Sequence, residues 1–274
     1  MTQWVVDLVG GGVGQALQVD DVLYDGVSAY QHIQVAVSPL FGRMLILDDA
    51  VQTTERDEHI YHEMLVHLPL LTHPAPRRIL IIGGGDGGTL EEALKPPVAQ
   101  ATMVEIDRAV VDVSRAYLPG IAGGAFDDRR ARLLITDGIA FVRETADRFD
   151  AILVDSTDPK GPGVALFSEE FFAMCARVLA PDGILSMQSG SLLYQRDLLD
   201  RVHHKLSAVF PLVIPYWAAV PAYPGTLWTF TLASRDADPR RVDRQAAARR
   251  SEGFGLRYYS PDAHHAALSL PAGP

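Results

Sequence analysis

The stretch Gly83-Gly84-Gly85-Asp86-Gly87-Gly88 follows the apolar run Ile79-Leu80-Ile81-Ile82 and precedes a helix-forming segment. Glycines let a backbone turn sharply and come close to a ligand. A glycine-rich turn between a buried strand and a helix therefore points to nucleotide binding. Gly83, Gly85 and Gly88 fit the dinucleotide spacing, and S-adenosyl compounds are held by the same geometry. Glu105, in Val104-Glu105-Ile106-Asp107, stands about 20 positions on, where an acid takes a ribose diol. The plainer reading of Glu105 is a surface acid at a strand end. Asp86 discriminates between ligands, because a carboxylate inside the loop repels a pyrophosphate and attracts an amine. S-adenosylmethionine brings both an amine and a carboxylate to that place. Its decarboxylated form brings the amine alone, which one aspartate can hold.

A second group of acids, Asp155-Ser156-Thr157-Asp158-Pro159, follows the apolar run Ala151-Ile152-Leu153-Val154. Carboxyl ends of parallel strands are where such folds keep their chemistry. Two carboxylates three residues apart could share a cationic amine, and one of them could act as general base. The alternative is an Asx-turn, with Asp158 capping ahead of Pro159. Asp137-Gly138, after a third strand candidate, suits an adenine contact or a helix N-cap.

These groups need elements to carry them. From Arg78 onward strand and helix patterns alternate, with strands at 101–106, 133–136, 151–154 and 184–187 and a helix at 168–179. Such alternation predicts a doubly wound parallel sheet of Rossmann-like α/β type. Leu212–Tyr216 and Leu227–Leu232 predict an antiparallel edge. Before residue 60 the pattern is a β-meander, with strands at 18–24, 30–37 and 44–47 and a turn at Asp25-Gly26. A helix starts near Asp57 and ends before Pro74 and Pro76. The expected division is a small β-stranded domain over 1–60 and a Rossmann-like catalytic domain over 61–274. The Arg-rich stretch from Arg235 to Arg257 and the pair His264-His265 read as surface, His203-His204 as a solvated helix face, and Cys175 as core.

Composition narrows the ligand classes. The 274 residues carry 34 acids against 24 Lys and Arg, a net charge of −10. That balance disfavours nucleic acid and anionic membranes and suits a small cationic ligand. No stretch approaches the roughly 18 apolar residues of a membrane span, and the start Met1-Thr2-Gln3-Trp4 lacks the pattern of a signal peptide. The single cysteine excludes an intrachain disulfide and fits a reducing, cytoplasmic setting. There is no Cys/His cluster with metal-ligand spacing.

Together these residues resemble the polyamine aminopropyltransferase family, and within it the spermidine synthases. The resemblance runs through Tyr30-Gln31, Phe41-Gly42, Leu47-Asp48, Val51-Gln52 and Arg56 to Met64. It continues through the glycine loop, Asp155 to Pro159, Gly161-Pro162, Leu166-Phe167, Gln188-Ser189, Val220 to Pro224 and Leu256 to Tyr259. It implies transfer of the aminopropyl group of decarboxylated S-adenosylmethionine, as co-substrate, to putrescine, giving spermidine and methylthioadenosine. The implied fold is a small N-terminal β-domain followed by a methyltransferase-type sheet, assembled as a homodimer or homotetramer.

Carried over residue by residue, the resemblance makes Asp155 the general base, with Tyr61 beside it. Asp158 and His62 line the polyamine site, and Asp86 holds the aminopropyl amine. Gln31, Glu105, Asp137, Gly138 and Pro162 contact the nucleoside, with Gly83, Gly85 and Gly87 in its loop, and Gln52, Gln188 and Tyr223 complete the site. The chain departs from the family's usual pattern at Asp48-Asp49, Glu91-Glu92, Gly190 and Gly225-Thr226, and none of these removes a proposed catalytic group. Agmatine, cadaverine or spermidine as acceptor is the nearest alternative, and an NAD-dependent oxidoreductase a more distant one.

Overall fold

The computed structural model describes residues 3–10 and 12–270, with the side chain of residue 162 outside the description. Strands β1 (Gln3–Gly10) and β2 (Val13–Val19) form an antiparallel hairpin. Strands β3 (Asp21–Val27), β4 (His32–Ser38), β5 (Gly42–Leu47) and β6 (Ala50–Thr54) form a four-stranded meander.

Two local expectations fail here. The strand expected over 18–24 breaks at Asp20. Asp25 and Gly26 do not turn the chain but lie inside β3, opposite Gln34 and Ile33. A side chain at Gly26 would meet the Tyr24 ring, its Cβ 2.6 Å from the hydroxyl, so this glycine serves close packing. The turn falls at Ser28–Gln31, where the Ser28 hydroxyl oxygen accepts the N–H groups of Tyr30 and Gln31. A side-chain oxygen thus replaces the backbone partner of a tight turn.

Helix α1 (Glu58–Thr72) is buried from Tyr61 to Leu71 on every face, the mark of a central helix. The alternating part follows: β7 (Arg78–Gly83), α2 (Gly88–Leu94), β8 (Gln100–Glu105), α3 (Arg108–Tyr117), α4 (Pro119–Ala122), β9 (Ala131–Ile135), α5 (Gly138–Glu144), β10 (Phe149–Asp155), α6 (Glu169–Val178), β11 (Leu179–Ser191) and α7 (Arg196–Ser207). Strands β12 (Leu212–Ala219) and β13 (Leu227–Ser234) and helices α8 (Arg244–Ser251) and α9 (Pro261–Ala267) complete the described chain.

The strand order is β9-β8-β7-β10-β11-β13-β12. The first five strands are parallel, and β13 runs antiparallel to both its neighbours. This is the doubly wound sheet with an antiparallel edge that the alternation predicts. Helices α1 and α2 cover one face through Val66, Leu70, Leu90 and Ala93. Helices α5, α6 and α7 cover the other through Val142, Phe171, Phe172, Leu198 and Val202. The order reverses between β7 and β10, which opens a crevice at their carboxyl ends. The meander closes over that crevice. Its strands β4 and β5 pack Ile33, Val35, Leu45 and Leu47 onto Val110 and Val113 of α3.

The end of the chain is less peripheral than its composition suggests. Arg250 in α8 donates to the carbonyls of Leu70, Leu71 and His73 at the end of α1, satisfying groups a helix terminus leaves open. The buried Glu63 carboxylate accepts the N–H groups of Arg257, Tyr258 and Tyr259 at 2.6–2.8 Å. His264 is fully buried, contrary to the surface reading. Its ring bonds Tyr259 and the Pro239 carbonyl, and burial pushes its pKa down to about 4. His265 is half-buried against the Val242 carbonyl. His203 and His204 are exposed and Cys175 is buried, as expected.

Candidate active site

A cavity of about 280 Å³ fills the crevice between the meander and the sheet. Gln31, Gln52, Tyr61, Gly83, Gly85, Asp86, Glu105, Asp137, Gly138, Asp155, Asp158, Gln188 and Tyr223 border it. Its carboxylates are Asp7, Asp48, Asp86, Glu105, Asp137, Asp155 and Asp158, and among the described lining residues Lys160 is the sole cation. The negative excess of the sequence is thus concentrated where a cationic ligand would enter.

The glycine loop fits its place for steric reasons. Gly83 has φ +85°, and a Cβ there would sit 2.1 Å from the Asp155 carbonyl oxygen, so β7 and β10 could not close as they do. Gly84 donates its N–H to that same carbonyl. Gly87 faces away from the cavity, towards Ala122 and Phe126, and at φ +87° it opens α2. At Gly88 a Cβ would meet the His62 ring at 2.2 Å, so this glycine is what lets α1 and α2 approach.

That approach builds a charged pair. His62 does not border the cavity but stands behind Asp86, with Nε2 3.5 Å from Asp86 Oδ1 and Nδ1 2.8 Å from Glu58. Burial opposes a charge on His62, but the flanking carboxylates outweigh it and hold its pKa well above the usual imidazole value. Asp86 is buried as well; His62 and the Gly88 N–H overcome that cost and keep its pKa below the usual value. Asp86 is therefore a fixed anion, and its partner shields part of its charge.

Asp155 ends β10 beside it. The Tyr61 hydroxyl donates to Oδ1 at 2.9 Å and the Thr89 hydroxyl to Oδ2 at 2.6 Å. Burial, and next the charge of Asp86, push the Asp155 pKa above the ordinary carboxylate value. A carboxyl so perturbed at a strand end suits proton transfer. Tyr61 is itself raised well above 10, chiefly by burial, so it stays a neutral donor. Tyr223 is raised in the same way, and its hydroxyl donates to the Gln52 carbonyl. Asp57 ties this wall to the start of α1, accepting from the Thr54 hydroxyl and the Ala222 N–H.

At the opposite end lie the nucleoside candidates. Glu105 accepts the Asp107 N–H, and burial pushes its pKa up to about 7. Asp137 caps α5 through the Ile139 N–H and borders the cavity too, so its two readings are compatible. Gln31 donates from Nε2 to Asp107, which also accepts from the Ser28 hydroxyl, and this joins the meander to the start of α3. Pro162 falls on a side chain outside the described residues.

The acidic loop is not an Asx-turn at Asp158. Asp158 Oδ2 accepts instead from Gln195 Nε2 at 2.6 Å. Gln188 braces the loop, donating to the Ser156 carbonyl and accepting the Gly190 N–H.

Besides Gln195, two residues in this constellation were missed in the sequence. Asp7 on β1 borders the cavity, accepts the Val51 N–H, and has its pKa raised by burial. Its signal was a lone acid within Trp4-Val5-Val6-Asp7-Leu8-Val9. Thr89, which bonds Asp155, has no such signal, because a threonine in a first helical turn is ordinary.

The chain is similar to known proteins over nearly its whole length. The model of the spermine/spermidine synthase domain matches residues 58–245, and that of the spermidine synthase tetramerisation domain matches residues 3–55. The polyamine aminopropyltransferase of Desulforudis audaxviator is 42% identical over 272 residues, covering 99% of this chain and 97% of that protein. The corresponding protein of Erwinia tasmaniensis is 46% identical over 263 residues, covering 95% and 92%. A crystal structure of spermidine synthase with the transition-state analogue AdoDATO superposes with a TM-score of 0.94 at 38% identity, covering 98% of this chain and 92% of that one. Spermidine synthase from Thermotoga maritima gives 0.92 at 38% identity, covering 98% and 91%.

Proposed function

The chain belongs to the polyamine aminopropyltransferases, a family of enzymes, and from that premise we propose that it is a spermidine synthase. It transfers the aminopropyl group of decarboxylated S-adenosylmethionine to putrescine. The observation that carries this reading is the pairing at the switch point. Asp86 is a fixed anion, and Asp155 beside it is a carboxyl of raised pKa held by two hydroxyls.

In this reading Glu105 takes the ribose hydroxyls, and Asp137, Gly138, Gln31 and Pro162 surround the base, with Gly83 and Gly85 beneath the nucleoside. Asp86 holds the aminopropyl ammonium, and His62 keeps Asp86 ionised. Asp158, with Asp7 near it, takes the far ammonium of the acceptor. Gln52, Gln188 and Tyr223 shape the wall around its methylene chain.

The acceptor amine has a lysine-like pKa of about 10.4 and arrives protonated. Asp155 takes one proton, and Tyr61 orients Asp155. The freed nitrogen attacks the carbon next to the sulfonium. The C–N bond forms, the C–S bond breaks, and its electron pair neutralises the sulfur as methylthioadenosine. Held in line, this displacement becomes effectively unimolecular. The sulfonium is already activated, so activation of the amine is the protein's main task.

The same reading gives a homo-oligomer in a reducing, cytoplasmic setting. The tetramerisation-domain match and the exposed row Trp4, Val6 and Leu8 on one face of β1 support self-association. The test is incubation with decarboxylated S-adenosylmethionine and a panel of putrescine, cadaverine, agmatine and spermidine. Full S-adenosylmethionine serves as control. Spermidine from putrescine at the highest kcat/KM is expected. Preference for another amine would reassign the acceptor, and reaction only with the full methionine compound would refute the transfer.

A further inference from the structure

Gln195, at the N-cap position of α7, is absent from every role assigned above. Its amide is fixed at both ends. Oε1 accepts the Ser191 N–H at 2.8 Å, and Nε2 donates to Asp158 Oδ2 at 2.6 Å. A backbone donor on one side and a carboxylate on the other leave a single orientation for the amide. The other carboxylate oxygen, Asp158 Oδ1, is buried and has no hydrogen-bond partner among the described residues. Asp158 borders the cavity, whereas Gln195 does not. An unpaired buried oxygen is costly unless a donor arrives.

Gly190 makes this arrangement possible. It has φ +83°, and a Cβ there would meet Gln195 Oε1 at 2.7 Å. Its own N–H is held by Gln188 Oε1. The missing side chain at 190 is therefore the space into which Gln195 folds back to reach the acidic loop.

We propose that Gln195 is a positioning residue for the acceptor site: it clamps one oxygen of Asp158 so that the other, Oδ1, is presented to the distal ammonium of the acceptor. This rests on the reading of Asp158 given above and deepens it. A free carboxylate on the loop after β10 would rotate, and the acceptor would have to order it on binding. The clamp removes that cost beforehand. Asp7 and Lys160 are the other charged groups at this end, Asp7 being influenced by both Asp158 and Lys160.

The experiment uses the full chain and steady-state kinetics with both substrates varied. Gln195→Leu removes both amide contacts at similar volume. The putrescine KM should rise about tenfold, on the order of one hydrogen bond to a charged group. The kcat and the KM for decarboxylated S-adenosylmethionine should stay within about twofold. A putrescine KM within twofold of wild type, or equal losses for both substrates, overturns the proposal.

Gln195→Glu keeps the shape and guards against a variant that folds poorly. It sets a second carboxylate against Asp158, and two such groups share a proton. The shared proton keeps the clamp and its loss breaks it, so the acceptor kcat/KM should gain a new limb that falls as pH rises. A profile superimposable on wild type argues against the contact. If wild-type protein makes no polyamine from any amine in the panel, the functional reading fails and takes this inference with it. Wild-type turnover combined with an unchanged Gln195→Leu KM refutes this inference alone.

Discussion

Replacing Asp155 by Asn tests the mechanism and the electrostatics together. The change is nearly isosteric, and both neighbours are hydroxyls, which can accept as well as donate. Tyr61 and Thr89 can therefore turn to keep their contacts. What disappears is the capacity to take a proton. General-base catalysis contributes about 10²–10⁴-fold, which is about 2.7–5.4 kcal/mol of barrier at 1.36 kcal/mol per tenfold. The kcat for putrescine should fall by that factor. Stability should not fall with it. Burial and the charge of Asp86 raise the Asp155 pKa above its unfolded value. The folded state thus holds this proton more tightly than the unfolded state. Stability from this group is present below the unfolded pKa and is lost as pH rises through the folded one. At neutral pH, well above the unfolded pKa, the buried carboxyl is a burden that Asn relieves, so Tm should be unchanged or higher. The assays are single-turnover formation of spermidine and thermal unfolding at pH 7. A folded Asp155→Asn variant within tenfold of the wild-type rate would remove Asp155 from the base role. A clear loss of Tm would refute the electrostatic argument.

Asp86→Asn should weaken decarboxylated S-adenosylmethionine at least tenfold while changing methylthioadenosine, which has no amine, by less than about threefold; calorimetry compares the two, and equal weakening contradicts the assignment. Asp49 sits at φ +67° in the turn between β5 and β6, so Asp49→Gly should stabilise by about 0.5–1 kcal/mol, read as a higher urea midpoint with unchanged kcat. Glu63→Gln can keep its one oxygen on the N–H groups of Tyr258 and Tyr259, but then sets an amide NH₂ against that of Arg257. It should cost about 2–4 kcal/mol and expose the chain beyond α8 to limited proteolysis; a protease-resistant tail would show that Glu63 is not its anchor.

The alternation of apolar runs with helical segments made the doubly wound sheet legible, because periodicity is a local property that burial on both faces imposes on each strand. Asp25-Gly26 misled for the same reason. Its turn chemistry is local, but Tyr24 packing over Gly26 and the Ser28 hydroxyl moved the turn outward. His264 misled because a polar pair near the end of a chain carries no trace of the Tyr259 and Pro239 groups that bury it.

At the site, residue types and spacing by themselves determined the glycine loop, Glu105 at the end of β8, and the acids at the end of β10. Each lies a fixed number of residues past an apolar run. The tertiary structure alone decided how these groups act. His62 holds Asp86 ionised because Gly88 lets two helices touch. Asp155 is held in one orientation because Thr89 and Tyr61, 66 and 94 residues away in sequence, converge on its two oxygens, and burial and Asp86 raise its pKa. Asp7 joins the cavity wall because the hairpin borders it and bonds Val51 of the meander, and Gln195 reaches Asp158 through the space left at Gly190. Spacing along a chain specifies which groups share an element. Their protonation and reach depend on burial and on partners brought from elsewhere in the chain, which packing alone supplies.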